Sequence, residues 1–307
     1  MLHYIERRLV FSIPILVLIS VIVFAIMHIL PGDPVKIMLS GQPVSGDVVE
    51  RLREEYGLDK PLYRQYLDFA GGAITGDLGN SIRTNRPVLD EIITQLPSTL
   101  QLALAAMLIA ISIGVVSGVL AAIRQGTWVD AGSMLFALIG VSMPGFWLAL
   151  LLMLIFSFRL GWFPSVGSGS LRHLVLPAIV LGVGEAGVIA RMVRANMVEV
   201  LRQEYVTVAR AKGLAYRTVI VRHALRNALI PVVTVLGLQF GFMLGGAVIV
   251  ETVFARPGIG RLAVDSILAK DYPMVQGVVL FSAVIYVFVN LIVDISYAWF
   301  DPRIHYE

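Results

Sequence analysis

The chain contains no cysteine in 307 residues. Disulfides, thiolate metal sites and cysteine nucleophiles are therefore excluded, and the redox compartment leaves no mark. Charge is also scarce: Asp, Glu, Lys and Arg make up 15% of the residues, against roughly 25% in a soluble domain. No Gly-x4-Gly-Lys-Ser/Thr loop, His-Glu-x-x-His pair or Gly-x-Ser-x-Gly elbow occurs, so the signatures of nucleotide, zinc-protease and serine-hydrolase chemistry are missing. The sequence predicts no catalysis and no ATP hydrolysis by this chain alone. Its five histidines (His3, His28, His173, His223 and His305) are scattered, without the same-face spacing that a helical metal site needs.

What is abundant is apolar: 57% of the residues are hydrophobic and the mean hydropathy is +0.82. The net charge of +3 does not indicate nucleic acid, because the basic residues sit beside apolar runs and form no stripe on a soluble domain. A bilayer core of about 30 Å needs about 20 apolar helical residues. Six runs meet this: 9 to 30, 97 to 123, 131 to 158, 174 to 190, 228 to 250 and 275 to 299. The first follows Arg7 and Arg8 but exceeds the roughly 7 to 15 residues of a signal core, and it leads into Leu30-Pro31-Gly32-Asp33-Pro34 without a cleavage site. It is read as a retained span, which makes the expected fold an all-α polytopic membrane protein with six transmembrane helices.

Charge asymmetry orients the spans. Arg191, Arg194, Arg202, Arg210, Lys212, Arg217, Arg222 and Arg226 lie between the fourth and fifth runs, opposed only by Glu199 and Glu204, and Arg7, Arg8 and Arg124 fall on the same face. Positive residues mark the cytoplasmic side, so both termini are expected there. On the opposite side, residues 31 to 96 carry seven basic residues against ten acidic ones. Within that segment, Ser45 to Tyr56 reads as a short helix closed by Gly57. Asp59-Lys60-Pro61 opens another, with Leu62, Tyr66 and Phe69 at helical spacing. These helices are expected on the outer surface, as a docking element or a cover over the path.

Gly237, Gly241 and Gly245 recur at four-residue steps and Gly114 pairs with Gly118, a pattern that lets helix backbones approach closely in lipid. Glu185 falls inside the fourth run, where a charge costs about 2.5–3.5 kcal/mol on insertion scales and should face protein or water. A contact to another helix and a place on the path both remain open. Gln239, Met243 and Glu251 are the other candidates for a translocation path or gate. Hydration at the membrane edge could satisfy Glu251 and Asp294 without any functional role.

The segment from Val198 to Leu229 is the most informative. Val198, Leu201, Tyr205 and Val208 read as one helical stripe, and Ala209, Ala211 and Gly213 supply small side chains near its end. Flanked by Arg210 and Lys212, that end suits a knob gripped by another protein. Topology explains the charge but not the small-residue end.

These residues carry a resemblance. Glu204-Tyr-Val-Thr-Val-Ala-Arg-Ala-Lys-Gly213-Leu, followed by Arg222-His-Ala-Leu-Arg-Asn-Ala-Leu-Ile-Pro231, resembles the cytoplasmic coupling loop of ABC importer permeases of the dipeptide/oligopeptide/nickel family. Leu30 to Pro34, Gly57-Leu-Asp-Lys-Pro61, Gly76-Asp-Leu-Gly79, Ser142-Met-Pro-Gly-Phe146, the turn from Glu251 to Gly260 and Asp301-Pro-Arg-Ile304 extend it over nearly the whole chain. Against the general pattern Glu-Ala-Ala-x3-Gly-x9-Ile-x-Leu-Pro, Thr207-Val208-Ala209 takes the first three positions and Gly213 the glycine. His223-Ala-Leu225-Arg226 replaces Ile-x-Leu-Pro, and the proline comes later, at Pro231.

The resemblance implies a type I ABC importer fold: a first helix within 1–30, an external segment over 31–96, and a five-helix permease core over 97–307 holding a coupling loop at 195–227. It implies Glu204, Tyr205, Ala209, Arg210, Ala211, Lys212, Gly213 and Leu214 as the contact with an ATPase. The expected partners are a homologous second permease, two cytoplasmic ATPase subunits, an external substrate-binding protein and the lipid of a bacterial inner membrane. ATP and Mg are expected on the ATPases, and no cofactor on this chain. Dipeptides or oligopeptides are the expected substrates, with glutathione or nickel chelates as alternatives. A proton-coupled secondary transporter using Glu185 is the reading from another class, and an intramembrane enzyme a further one.

Overall fold

The computed structural model describes residues 2–29, 46–55 and 57–300. Leu30 to Pro34, Ser45, Tyr56, His305 and Asp301 to Ile304 lie outside them, as does the side chain of Asp294. The described residues are almost wholly helical: α1 (Leu2–Ile29), α2 (Gly46–Glu55), α3 (Leu62–Thr75), α4 (Val88–Ile123), α5 (Trp128–Ser142), α6 (Gly145–Arg159), α7 (Arg172–Val200), α8 (Glu204–Ala211), α9 (216–228), α10 (Ile230–Val253), α11 (Ile259–Leu268) and α12 (Tyr272–Phe300). Five of them, α1, α4, α7, α10 and α12, are long and apolar enough to cross a membrane. A sixth crossing arises if α5 and α6 count as one broken span.

That break corrects the sequence reading of 131–158 as one run. α5 and α6 meet at an angle of 105°, with Met143 extended and Pro144 preceding the new helix. Proline lacks the N–H that would continue α5, and its ring pushes the residue before it out of the helical region. The fourth run is likewise longer than its apolar stretch, since α7 carries on through Arg191 and Arg194 to Val200. Part of the basic segment is therefore the end of a spanning helix. α4 has 36 residues, about 54 Å at 1.5 Å per residue, and so overreaches a hydrocarbon core of about 30 Å.

The described chain divides into two compact units, and α4 and α12 each contribute to both. One unit gathers the described residues up to 97 with 258–288. In it α3 packs on α1: Ser20 and Tyr66 share a hydrogen bond of 3.0 Å, His28 and Gln65 one of 3.1 Å, and Phe24 stacks with Phe69. The helical spacing of Tyr66 and Phe69 thus marks a face turned to a neighbouring helix, whereas Leu62 is exposed. Val88, Ile92, Ile259, Met274 and Val278 form the apolar centre.

A buried carboxylate ties this unit's loop to its last helix. Asp271 precedes α12 and accepts hydrogen bonds from Ser81 Oγ, from the backbone N–H of Ile82 (3.1 Å) and Arg83 (3.4 Å), and from Met274 N–H (3.3 Å). It caps α12 and holds residues 81–83 with the same two oxygens. Asp271→Ala strands the buried donors of Ser81 and Met274, each costing about 1–3 kcal/mol, and frees the part-buried N–H groups of Ile82 and Arg83. Trypsin cleavage after the exposed Arg83 is therefore expected to accelerate about tenfold or more, while Asp271→Asn retains part of the protection. Unchanged cleavage in the alanine variant refutes the latch.

The other unit comprises 98–257 and 289–300. Glycines decide its close packing, though only some of those singled out in the sequence take part. A Cβ on Gly118 would stand 2.6 Å from Ala190 O, and one on Gly114 2.7 Å from Ile189, so α4 meets α7 at backbone distance. In the fifth run Gly237 faces Val293, but Gly245 opens on empty space. The four-residue step is thus not one packing seam: 100° per residue carries the stripe off the contact.

Candidate functional site

α7 ends in a turn at Leu201, Arg202 and Gln203, and α8 then sets off as a separate helix from an extended Gln203. This overturns the single stripe of Val198, Leu201, Tyr205 and Val208, because the turn resets the helical phase. The buried side of α8 is Val206 and Ala209, which pack with Val219, Val200 and Leu201. Tyr205 and Val208 are instead exposed, at 42% and 51%.

The end of α8 is closed by Gly213. Its N–H donates to Arg210 O at 3.0 Å, the N–H of Leu214 donates to Ala209 O at 3.4 Å, and its φ is +74°. This is the Schellman arrangement, in which a left-handed residue satisfies the last carbonyls of a helix. Glu204 in the first turn and Arg210 in the last complement the helix dipole. The result is a short, capped helix projecting from the end of a spanning one. Its outer surface presents Tyr205, Val208, Ala211 and Leu214, with Glu204, Arg210 and Lys212 exposed around them. Of the eight expected contact residues, Ala209 alone turns inward, where it holds α8 on its base.

The returning helix of the segment, α9, is fastened to α7 and α8. Asn227 Nδ2 donates to Tyr205 Oη (2.8 Å) and to His223 O (3.0 Å), and Asn196 Nδ2 donates to Ala228 O (3.2 Å). On the far side of α7, Arg194 pairs with Asp130 of α5 through Nε to Oδ1 (2.6 Å) and Nη2 to Oδ2 (2.7 Å). Sequence reasoning missed Asn196, Asn227 and Asp130. The only available signal was an acidic residue in the first turn of α5, which the helix dipole explains by itself.

The path candidates divide into two places in this unit. Leu181 meets Gly246, and Asn196 meets Ala228. These contacts set α7 and the chain from α9 into α10 antiparallel, with Glu185 level with Gln239 and Met243. Met243 is fully buried and Gln239 nearly so. Glu185 is half-buried, and its Oε2 is buried without a hydrogen-bond partner among the described residues. Three of the four candidates thus share one depth.

Glu251 stands apart at the end of α10. It is fully buried and accepts a hydrogen bond from Thr99 Oγ1 at 2.6 Å, so hydration at the membrane edge is not what satisfies it. Arg256, only 4% exposed, donates its backbone N–H to Glu251 O (2.9 Å) and Nη2 to Gln101 Oε1 (2.9 Å). Burial pulls the Arg256 guanidinium below its ordinary pKa, and the charge of Glu251 opposes that fall. Ala255 between them has φ +47°, a left-handed strain that turns the chain so that Arg256 points inward. Among the described residues no three His, Asp or Glu side chains gather where they could hold a metal ion.

Comparison with known proteins bears on this arrangement of spanning helices and a projecting capped helix. Residues 114–306 match the family described as "Binding-protein-dependent transport system inner membrane component", and residues 1–103 match the N-terminal family of such membrane components. The glutathione transport system permease protein GsiC of Escherichia coli O6:H1 is 45% identical over 307 residues, covering all of both chains. Its counterparts in Escherichia coli K12 and Shigella dysenteriae serotype 1 are each 44% identical over the same span. Among solved structures, the inward-facing MetNI methionine ABC transporter superposes with a TM-score of 0.59 at 18% identity, covering 69% of this chain and 96% of that one. An amino acid ABC transporter crystallised with histidines gives 0.53 at 17%, covering 70% and 94%. At those identities the structures speak for the fold alone, which is that of the type I importer permeases. The chain belongs to the binding-protein-dependent transport system inner membrane component family and is the multi-pass membrane permease of an ABC importer.

Proposed function

We propose that this permease, paired with a homologous second permease, forms the path by which a short peptide of the glutathione class enters the cell, powered by two separate ATPase subunits. The observation that carries the reading is α8. It is a helix of eight residues, too short to be stable alone, yet capped, braced from behind by Val206 and Ala209, and turned outward with an apolar face. Exposed apolar patches rimmed by charge mark protein contacts. In this reading α8 lies on the cytoplasmic side, as do both chain termini, and ATP and Mg are held by the ATPases.

Substrate class is supported by full-length identity to permeases named for glutathione transport, glutathione being itself a tripeptide. Nickel chelates have no such support. ATP binding closes the ATPase pair and displaces α8; hydrolysis resets it. A ligand moves such an equilibrium only by its differential affinity for the two states, so α8 must meet the ATPase differently in each.

The test is purification of the tagged permease in mild detergent with its co-purifying proteins, followed by uptake in proteoliposomes. The expected result is a second permease, ATPase subunits and a binding protein, with ATP-dependent uptake of reduced glutathione that a proton gradient cannot replace. Uptake driven by a proton gradient without ATPases overturns the reading and promotes Glu185. ATP-driven uptake of ordinary dipeptides, with none of glutathione, leaves the machine standing and replaces its substrate.

A further inference from the structure

We infer that Asp130 and Arg194 form a positioning clamp that carries the movement of α8 into the broken span α5–α6; the inference rests on the coupling role proposed for α8. α5 and α7 touch at three levels in one antiparallel register. Asp130 pairs with Arg194; a Cβ on Gly187 would stand 2.4 Å from Ala137 O; and one on Gly140 would stand 2.9 Å from Val183 O. The two helices are therefore joined along their length, from the start of α5 almost to the bend at Met143 and Pro144. At the two glycine levels the contact is backbone against backbone. Such contact resists approach but does little against sliding or rotation.

The third level differs in kind. Arg194 Nε and Nη2 meet Oδ1 and Oδ2 of Asp130 as two parallel bonds of 2.6 and 2.7 Å, a geometry that fixes orientation as well as distance. Oδ2 also accepts the N–H of Gly126 at 3.0 Å, and Gly126 has φ +77°, so the turn between α4 and α5 is held by the same carboxylate. Asp130 is 6% exposed. The Arg194 side chain keeps 29% exposure, so the pair is only partly withdrawn from the water and salt that weaken surface ion pairs, and it is the two-pronged geometry that gives the contact its rigidity.

Its place gives it a task. Arg194 lies about two turns, or roughly 10 Å, before the end of α7, where three residues of turn lead into α8. A displacement of α8 reaches α7 first, and of the three levels of contact with α5 the clamp is the one nearest to that input. With orientation fixed there, α5 turns with α7, and the bend of 105° converts that turn into a sweep of α6. Without it, α7 can slip against α5 on its glycine contacts and the displacement is lost.

The experiment uses the whole complex in proteoliposomes and measures ATP hydrolysis and reduced-glutathione uptake, each normalised to assembled complex. Arg194→Lys keeps the charge and removes the two-pronged geometry. It is expected to assemble normally and to hydrolyse ATP within about twofold of the parent, while uptake per ATP falls about fivefold or more, the lower end of typical coupling between sites. Asp130→Asn should fall similarly, and combining the two substitutions should add little, as for residues acting through one contact. Because the chain has no cysteine, a spin label on Val129→Cys can also report whether the start of α5 gains mobility in Arg194→Lys. If the parent is ATP-driven and Arg194→Lys keeps its uptake per ATP, or loses uptake and hydrolysis in equal proportion, the clamp is refuted while the function stands. If the parent complex needs no ATP, the coupling reading fails and takes the clamp with it.

Discussion

Gly213→Trp is expected to leave the permease in the membrane at near-normal amount and to reduce ATP-dependent uptake at least about tenfold, within the range of coupling free energies between sites. Two features of Gly213 separate these effects. Its φ of +74° lies in the left-handed region, which costs an L-residue about 1–2 kcal/mol. A Cβ added there would meet nothing within 4 Å, so no core contact is broken and the spans fold as before. The damage is confined to the cap of α8 and to the surface it offers, where an indole would stand beside Leu214 and Lys212. Gly213→Asn is the control, since asparagine tolerates the left-handed conformation and adds little bulk; it should keep most of the uptake. Immunoblotting of membranes alongside uptake separates loss of protein from loss of coupling. Full uptake by the tryptophan variant removes α8 from the ATPase contact.

The spans were legible because a lipid-crossing helix announces itself by length and apolarity, and five of the six runs became long helices near their expected bounds. The exceptions have local causes. The run 131–158 is uniformly apolar, so hydropathy passes smoothly over Met143 and Pro144, and only the backbone chemistry of proline reveals the bend. The fourth apolar run ends at Ala190 because Arg191 interrupts it, but a helix continues wherever its carbonyls find partners, and α7 does so to Val200. At α8 the small residues and the glycine do mark the end of a helix. The stripe leading to it failed because periodicity assumes an unbroken helix, and three residues of turn at 201–203 change the phase. Long-range pairs such as Asp130 with Arg194, or Glu251 with Thr99, left no local trace: each partner alone reads as a charge or hydroxyl at a helix end. Only the antiparallel register of α5 and α7, or the approach of α4 to α10, makes them partners.

That register yields a second large effect with an internal control. Gly184 and Gly187 stand one turn apart on α7, and intrinsic propensity treats them alike: glycine to alanine in a helix interior gains about 1 kcal/mol. The surroundings do not. At Gly184 a Cβ would lie 3.8 Å from Gly140 O, an ordinary contact, whereas at Gly187 it would lie 2.4 Å from Ala137 O and 2.8 Å from Val141. A side chain can swing aside, but a backbone carbonyl of α5 cannot move without the helix. Gly187→Ala must therefore push α5 from α7, at an overpacking cost of about 1–3 kcal/mol or more, and each methyl-sized displacement is felt along the whole seam because interiors are close-packed. Thermal unfolding of the purified complex in detergent should show Gly184→Ala at or above the parent midpoint and Gly187→Ala several degrees below it. The uptake of Gly187→Ala should fall as well, because forcing the seam apart at Ala137 also strains the Asp130–Arg194 pair two turns away. Equal midpoints for the two variants would mean that α5 and α7 do not meet at backbone distance, and the rigid pairing by which α7 turns α5 would have to be abandoned.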